Sequence, residues 1–264
     1  MVMEKDFQGI EVIHHIRTKI GKGNMQLVVH IKLEEPLVLP INYNHIIQAI
    51  IYRALSIMPD YADFLHESGY MMGNRQYKMF HFGQLKGKYH IQNKHIVFES
   101  NVEFEIRSPE PILINLLAEG FYRNGISFGE FLCHNIQMEL YDYTVEEERL
   151  LIRMKSPVTV HSTDPFTRKS YYYNPTEPEF YEAVANNFYH KYQAYYGINP
   201  SSFIEITSVG DSNERKFVTN YQGSYITGWF SKFYLSGERK YLDFLYQTGL
   251  GEKNSQGFGM FEIL

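Results

Sequence analysis

A glycine-rich segment at the end of the chain constrains the fold more than any other stretch of the sequence. Residues 249–264 read Gly-Leu-Gly-Glu-Lys-Asn-Ser-Gln-Gly-Phe-Gly-Met-Phe-Glu-Ile-Leu, so two Gly-x-Gly pairs enclose a polar spacer with one cation, Lys253. Glycine accepts positive φ and lets another backbone come close, and the backbone amides of such a loop can face a phosphate. The glycines follow a predicted helix and lead into a predicted final strand. By itself the pattern is equally typical of a tight helix-to-strand connection.

Two familiar phosphate-binding loops do not fit this segment. A P-loop needs Gly-Lys-Ser/Thr at the start of a helix, and a dinucleotide-binding loop needs G-x-G-x-x-G between a strand and a helix. Here the order is reversed, because the glycines come after the helix and before the strand. Nucleotide binding of either kind is therefore not indicated.

The composition fits a two-domain protein without a membrane span or a disulfide framework. A chain of 264 residues with 44% hydrophobic residues suits two domains of roughly 130 residues each. No apolar run approaches the ~18 residues of a membrane-spanning helix. The single cysteine, Cys133, excludes an internal disulfide and a cysteine-built zinc site. We expect a cytoplasmic protein with no membrane association, in which Cys133 is a small core residue.

The charge balance argues against a uniformly basic surface, although it leaves room for local basic patches. The formal net charge is -5 and the isoelectric point is about 6.1. Lysines and arginines nevertheless recur in small groups, among them Lys86 and Lys88, Arg168-Lys169 and Arg215-Lys216. Aromatic residues make up 16% of the chain. Aromatic faces can stack on unpaired bases, but for any single tyrosine a place at the rim of a β-rich core is the better prediction.

Strand-like and helical segments alternate in the same order in both halves. Residues 1–24 are interpreted as an N-terminal extension, or as upstream sequence from an alternative start, without a catalytic role. Residues 25–146 and 147–264 each read β-α-β-β-α-β, the ferredoxin-like order, with the acidic stretch around Glu146 as the junction. Within them, 77–82 and 215–234 are each predicted to be one strand. The fold class is α+β, with two tandem ferredoxin-like (RRM-like) domains and a C-terminal glycine-rich loop.

One polar face of the first helix presents a tyrosine. At about 100° per residue, the apolar side chains between Ile46 and Leu55 share one face. Tyr52, Gln48 and His45 fall on the other side, so the Tyr52 hydroxyl is free to meet a ligand. The alternative is a surface tyrosine that stacks on a neighbouring strand.

The order of helix, Gly-hydrophobic-Gly, lysine-bearing spacer, Gly-hydrophobic-Gly and strand resembles the glycine-rich loop of the RAMP superfamily of CRISPR-associated RNA-binding proteins. Within it, the sequence is most similar to the family of the sixth Cas protein, the endoribonucleases that cut CRISPR repeat transcripts. Three further pieces, Ile50-Ile-Tyr52, Leu65-His66-Glu67 and Lys78-Met-Phe80, follow the order and approximate spacing of the Tyr/His/Lys site in that family. The resemblance covers residues 25–264 and also implies two tandem ferredoxin-like domains.

Carried over residue by residue, the resemblance implies a metal-free RNA-cutting site with no cofactor. The implied catalytic set is Tyr52, His66 and Lys78. The loop before Lys78 is longer than the family pattern, so Arg75 is an alternative cation. The implied RNA-binding residues are Gly249, Gly251, Lys253, Asn254, Ser255, Gly257 and Gly259.

The expected reaction is attack of a 2′-hydroxyl on the adjacent phosphate, which gives a 2′,3′-cyclic phosphate and a 5′-hydroxyl. An imidazole exchanges protons near neutral pH, and lysine and loop amides stabilise the phosphorane charge. The sequence leaves open whether His66 or Tyr52 is the base. The implied partner is CRISPR repeat RNA, single-stranded or hairpin. Effector-complex subunits and a second copy of the chain are further partners compatible with the resemblance.

Three other readings remain open from the sequence. A RAMP protein could bind repeat or guide RNA within an effector complex without cutting it. A structural or interaction protein would use the aromatic residues as core and the glycines as a connection. A metal-dependent nuclease is the weakest of the three, because no compact Asp/Glu cluster indicates paired magnesium ions. Among the other histidines, His45 is the main alternative to His66, since it shares the side of the helix that carries Tyr52.

Overall fold

The computed structural model describes residues 16–18, 25–210, 214–221 and 223–264. The strands of the first half are β1 (Ile16–Thr18), β2 (Met25–Lys32), β3 (Leu37–Pro40), β4 (Tyr70–Met72), β5 (Arg75–Tyr77), β6 (His81–Phe82), β7 (Tyr89–Gln92), β8 (His95–Phe98), β9 (Asn101–Ser108), β10 (Ile126–Phe128), β11 (Phe131–Cys133) and β12 (Ile136–Asp142). Its helices are α1 (Asn44–Leu55), α2 (Pro59–Asp63) and α3 (Pro111–Asn124), and a π-helical turn, Phe64–Ser68, follows α2.

The main sheet of the first half has the strand order β1-β12-β2-β9-β6. Without β1, this is the order of a ferredoxin-like sheet, in which β2 and β9 are the central antiparallel pair. The apolar faces of α1 and α3 pack in the core with this sheet. The two helices cross closely at Gly120, where a Cβ atom would lie 2.4 Å from the Ala54 carbonyl oxygen.

The second half consists of β13 (Arg149–Met154), β14 (His161–Thr163), β15 (Ser170–Tyr172), α4 (Pro178–Tyr196), β16 (Glu205–Ser208), β17 (Arg215–Tyr221), β18 (Ser224–Phe230), β19 (Lys232–Ser236), α5 (Arg239–Thr248) and β20 (Phe261–Ile263). Its sheet has the order β16-β19-β13-β20, which is again the ferredoxin-like arrangement. The hairpins β14–β15 and β17–β18 are additions to this unit. The predicted fold class, two tandem ferredoxin-like domains, is confirmed.

Two strand predictions are wrong. Residues 215–234 form a hairpin and a separate strand, because Gly223 has φ +86° and turns the chain between β17 and β18. Residues 77–82 are not one strand either: β5 pairs with β4, β6 pairs with β9, and Met79 between them has φ 53°. Positive φ is incompatible with a continuous strand for a residue with a side chain. Lys78 therefore lies in a bend.

The ends of the predicted domains are only partly described. Of the predicted extension, 1–24, Ile16–Thr18 pairs in parallel with β12, and the rest lies outside the described residues. The boundary predicted between residues 146 and 147 falls in the connection from β12 to β13 and stays a prediction. Within the described parts of the chain, no helix is long and apolar enough to cross a membrane.

A buried polar network joins the two halves. Arg107, which is 2% exposed, is paired with Glu105 at 2.5 Å and donates to the carbonyl of Phe261 at 2.8 Å. Its guanidinium lies 3.8 Å from the ring centroid of Tyr246. Glu105 also pairs with Lys155 of the second half. Because buried charges must be compensated, this network requires both halves to keep one mutual arrangement.

Candidate nucleic-acid interface

The exposed side of α1 carries Tyr52 at the edge of the first core. The buried residues of the helix are Asn44, Ile47, Ile50, Ile51, Ala54 and Leu55, which leaves Tyr52 half-buried on the flank. Its ring meets Phe80 edge-on, with 6.1 Å between ring centroids. Burial, and after it the neighbouring Tyr221, raises the pKa of Tyr52 to about 12. The phenol is therefore protonated at neutral pH and can donate a hydrogen bond.

His66 lies against Tyr52. It belongs to the π-helical turn Phe64–Ser68 and its side chain is exposed. The two rings meet edge to face, with 5.3 Å between centroids and an interplanar angle of 82°. π-Helical turns occur frequently at functional sites. The structure thus places an accessible imidazole beside a phenol, 14 residues apart in the chain.

Lys78 is tied to the same turn. Its ammonium donates to the carbonyl oxygen of His66 at 2.7 Å. Burial lowers its pKa to about 8. Gly69, with φ +57°, makes room for this contact, since a Cβ there would lie 2.5 Å from the Tyr77 carbonyl oxygen and 3.2 Å from Cδ of Lys78. Tyr52, His66 and Lys78, chosen from the sequence, therefore lie next to one another.

The alternative cation and the other candidate histidines have contacts of their own away from Tyr52. The charge of Arg75 acts on Tyr77 and on His190 of the second half. His45 is exposed, and its ring nitrogen Nδ1 contacts the carbonyl oxygen of Asn42 at 2.8 Å. His81 is fully buried, and burial lowers its pKa well below the ordinary value. Among His45, His66 and His81, only His66 has a ring contact with Tyr52.

The glycine-rich loop is seated on the N-terminal part of α1. Gln48 donates to the Ser255 carbonyl at 2.8 Å, and Asn44 donates to the Gln256 carbonyl at 2.8 Å. A Cβ at Gly257 would lie 2.6 Å from the side-chain nitrogen Nδ2 of Asn44 and 2.7 Å from the Phe82 ring. Gln48 is one helical turn before Tyr52, so the loop and the phenol lie along one side of the same helix.

The glycines give the loop its shape rather than supply free amides at each position. Gly249, Gly251, Gly257 and Gly259 are buried with φ between 63° and 86°. The amides of Gly249, Gly257 and Gly259 donate to the carbonyls of Leu245, Asn254 and Pro157. The Asn254 side chain is turned inward, where it donates to the carbonyls of Leu250 and Phe258. The polar residues of the spacer, Glu252 to Gln256, are partly exposed.

A buried lysine of α4 donates hydrogen bonds to the inner side of this loop. Lys191, 2% exposed, donates to the carbonyl of Gly249 at 2.8 Å and to Oδ1 of Asn254 at 2.7 Å. Burial lowers its pKa to about 7. The sequence reasoning missed Lys191, because nothing local distinguishes it from the other lysines.

Tyr221 and Gln48 were also missed as parts of this region. Tyr221, at the end of β17, donates from its hydroxyl to the Gln48 side chain. Gln48 thereby joins α1 to both the hairpin and the glycine-rich loop. For Gln48 the i, i+4 spacing to Tyr52 was an available signal, whereas the contact of Tyr221 spans 173 residues and has no local signature.

Comparison with known proteins shows which proteins this chain is similar to. Residues 139–263 match the family described as CRISPR associated protein Cas6, C-terminal. The chain is 28% identical over 238 residues to the CRISPR-associated endoribonuclease Cas6 of Pyrococcus furiosus, covering 85% of this chain and 83% of that protein.

Two solved structures have the same fold. One, described as a Cas6-related gene product from Pyrococcus furiosus, has a TM-score of 0.77 at 22% identity, covering 92% of this chain and 99% of the other. Another, described as a RAMP protein binding different RNA substrates, has a TM-score of 0.75 at 23% identity, covering 91% and 99%. The chain is therefore similar to Cas6 proteins over most of its length, and its second half matches the C-terminal family of Cas6.

Proposed function

We propose that the protein is an endoribonuclease that cuts CRISPR repeat RNA to produce CRISPR RNA. The observation that carries the proposal is the contact between the Tyr52 ring and the exposed His66 ring, with Lys78 bonded to the same turn. Similarity to the curated Cas6 endoribonuclease supports RNA cleavage as the activity. The RAMP protein with the same fold, described as binding RNA, supports RNA as the partner.

We infer that the cut proceeds by attack of the 2′-hydroxyl on the neighbouring phosphate, with His66 as the group that exchanges protons. A phenol with a pKa of about 12 is ionised to roughly one part in 10⁵ at pH 7, so Tyr52 serves as a hydrogen-bond donor. An imidazole is suited to both removing and returning a proton at this pH. This chemistry needs no metal ion and leaves a 2′,3′-cyclic phosphate and a 5′-hydroxyl.

The positive groups of the region are assigned to the phosphate and to RNA binding. Lys78 is placed to stabilise the charge that develops on the phosphorane. In the glycine-rich loop, Lys253 and the partly exposed spacer are proposed to hold the RNA, while the four glycines set the shape of the loop. Asn254 supports the loop from inside.

The proposal extends to the setting of the protein. A reducing cytoplasm fits a chain whose single cysteine, Cys133, is unpaired and buried. Binding to effector-complex subunits and pairing of two copies of the chain stay predictions.

Incubation of the protein with its own repeat RNA in EDTA tests the function. The expected result is one defined cut with a cyclic phosphate end. His66→Ala should lower the cleavage rate at least about 100-fold with nearly unchanged RNA affinity, whereas His45→Ala, on the side of α1 that carries Tyr52, should keep the parental rate. If the protein binds the RNA without cutting it, the alternative of a non-catalytic RAMP protein is favoured. Equal rates for the parent and His66→Ala would show that His66 has no part in the reaction.

A further inference from the structure

Both ends of the segment that carries His66 are tied to one carboxylate. Tyr61, five residues before His66, donates its hydroxyl to Oε2 of Glu110 at 2.6 Å. Tyr70, four residues after His66, donates to Oε1 of the same side chain. The π-helical turn therefore lies between two anchors that converge on a single residue of the α3 N-terminus.

The surroundings of these anchors favour charge-assisted hydrogen bonds. Burial, and after it the bond to Glu110, raises the pKa of both phenols, so both hydroxyls keep their protons and donate. Phe64, at the start of the turn, packs edge-on against Tyr70 with 5.4 Å between centroids. A carboxylate that accepts from two half-buried phenols holds each of them more strongly than a neutral acceptor would.

Glu110 is itself fixed to the bend that contains Lys78. Its backbone amide donates to Oγ of Ser108 at 3.0 Å, and the Ser108 hydroxyl donates to the Met79 carbonyl at 2.8 Å. Met79 directly follows Lys78, whose ammonium bonds the His66 carbonyl. The backbone of Glu110 is thus linked through Ser108 to the residue that follows Lys78.

We propose that Glu110 is a positioning residue, which holds His66 against Tyr52 by anchoring both ends of its segment. The inference rests on the proposed function of His66. Glu110 acts through Tyr61 and Tyr70 and takes no part in the reaction. Since misplacement of a catalytic group by about 1 Å can cost about 10²-fold in rate, loss of this anchor should lower the cleavage rate without weakening RNA binding.

The test combines a mutant cycle with hydrogen exchange. Glu110→Gln, Tyr61→Phe and the double variant are compared with the parent for cleavage rate at saturating protein, for RNA affinity and for amide exchange of residues 61–70. Tyr141→Phe is the matched control, because it removes a phenol–carboxylate bond (to Glu139) on an exposed surface. The expected result is an about tenfold lower rate for each single variant and a double variant no slower than Glu110→Gln. Affinity should stay within about twofold and exchange should be faster, while Tyr141→Phe matches the parent.

Several results would overturn the inference. Additive losses in the double variant would mean that Tyr61 does not act through Glu110. A fall in affinity as large as the fall in rate, or unchanged exchange of residues 61–70, would show that the carboxylate does not hold this segment. If the parent does not cut repeat RNA at all, the proposed function fails, and the exchange comparison still decides whether Glu110 anchors the turn.

Discussion

Single residues of the candidate site differ in how their surroundings set their protonation. The phenol of Tyr52 is neutral at pH 7, since burial raises its pKa to about 12, whereas burial lowers the pKa of Lys78 to about 8. The Tyr52 phenol thus keeps its proton throughout the physiological pH range, whereas the Lys78 ammonium loses its charge just above that range. The cation, rather than the phenol, should therefore limit the site in alkaline solution.

We predict that the cleavage rate falls as the pH rises above about 8, because a lysine with a lowered pKa is charged below that pKa and neutral above it. Lys78→Arg should remove this alkaline decline, since a guanidinium stays charged. The measurement is the single-turnover rate between pH 6.5 and pH 9.5. A decline of the same shape in Lys78→Arg would assign it to another group.

The choice of Tyr52, His66 and Lys78 as site residues came from the sequence and stays a prediction, whereas their contacts could not be predicted from it. Tyr52 could be placed on the flank of α1 because the apolar residues of that helix repeat with helical periodicity. Lys78 was expected on a strand, whereas it lies in the bend next to Met79 and bonds the His66 carbonyl. Lys191 and Tyr221 belong to the region through contacts 58 and 173 residues apart, which no local pattern encodes.

At the level of elements, the sequence predicted the position of the glycine-rich loop, but not the main reason why its glycines are needed. The pattern predicted a helix-to-strand loop, and the loop connects α5 to β20. The glycines are needed because neighbouring groups leave no space for a Cβ, most closely at Gly259, where it would lie 2.1 Å from the Leu250 carbonyl oxygen. The β17–β18 hairpin, by contrast, could have been predicted, since Gly223 interrupts the strand-like stretch at its turn.

We predict that Gly257→Ala displaces the loop from α1 and weakens RNA binding by about tenfold or more, since its Cβ would overlap Asn44 and Phe82. Gly197→Ala is a matched control: Gly197 also has positive φ, at +71°, but its Cβ would meet nothing within 4 Å. Affinity for repeat RNA and thermal stability are measured for both. Equal affinities of the two variants would mean that the packing of the loop against α1 does not affect RNA binding.

For the molecule as a whole, the buried network between the halves makes stability depend on pH. Burial alone would raise the pKa of the Glu105 carboxyl, but Arg107 and Lys155 hold it below the ordinary value. His81, in the same interface, contacts the Tyr246 carbonyl and is kept neutral. Both groups bind fewer protons in the folded chain than in the unfolded chain, so both favour unfolding as the pH falls.

The two contributions are separated by their pH windows. The unfolded chain takes up a proton on His81 below about pH 6.5, whereas the Glu105 contribution is lost only below its ordinary pKa of about 4.5. Between about pH 6 and pH 5 we therefore predict that the free energy of unfolding falls by up to about 1.4 kcal/mol per pH unit from His81 alone.

The slope of stability against pH, rather than stability itself, tests this prediction, because His81→Gln will also change the packing of the interface. Urea unfolding between pH 7 and pH 5 should give a shallower slope for His81→Gln than for the parent. His45→Gln, which changes an exposed histidine, should keep the parental slope. A parental slope in His81→Gln would mean that the imidazole at this interface can take up a proton without unfolding the chain. The two halves would then be held together by Glu105, Arg107 and Lys155 with no penalty from His81 in mild acid.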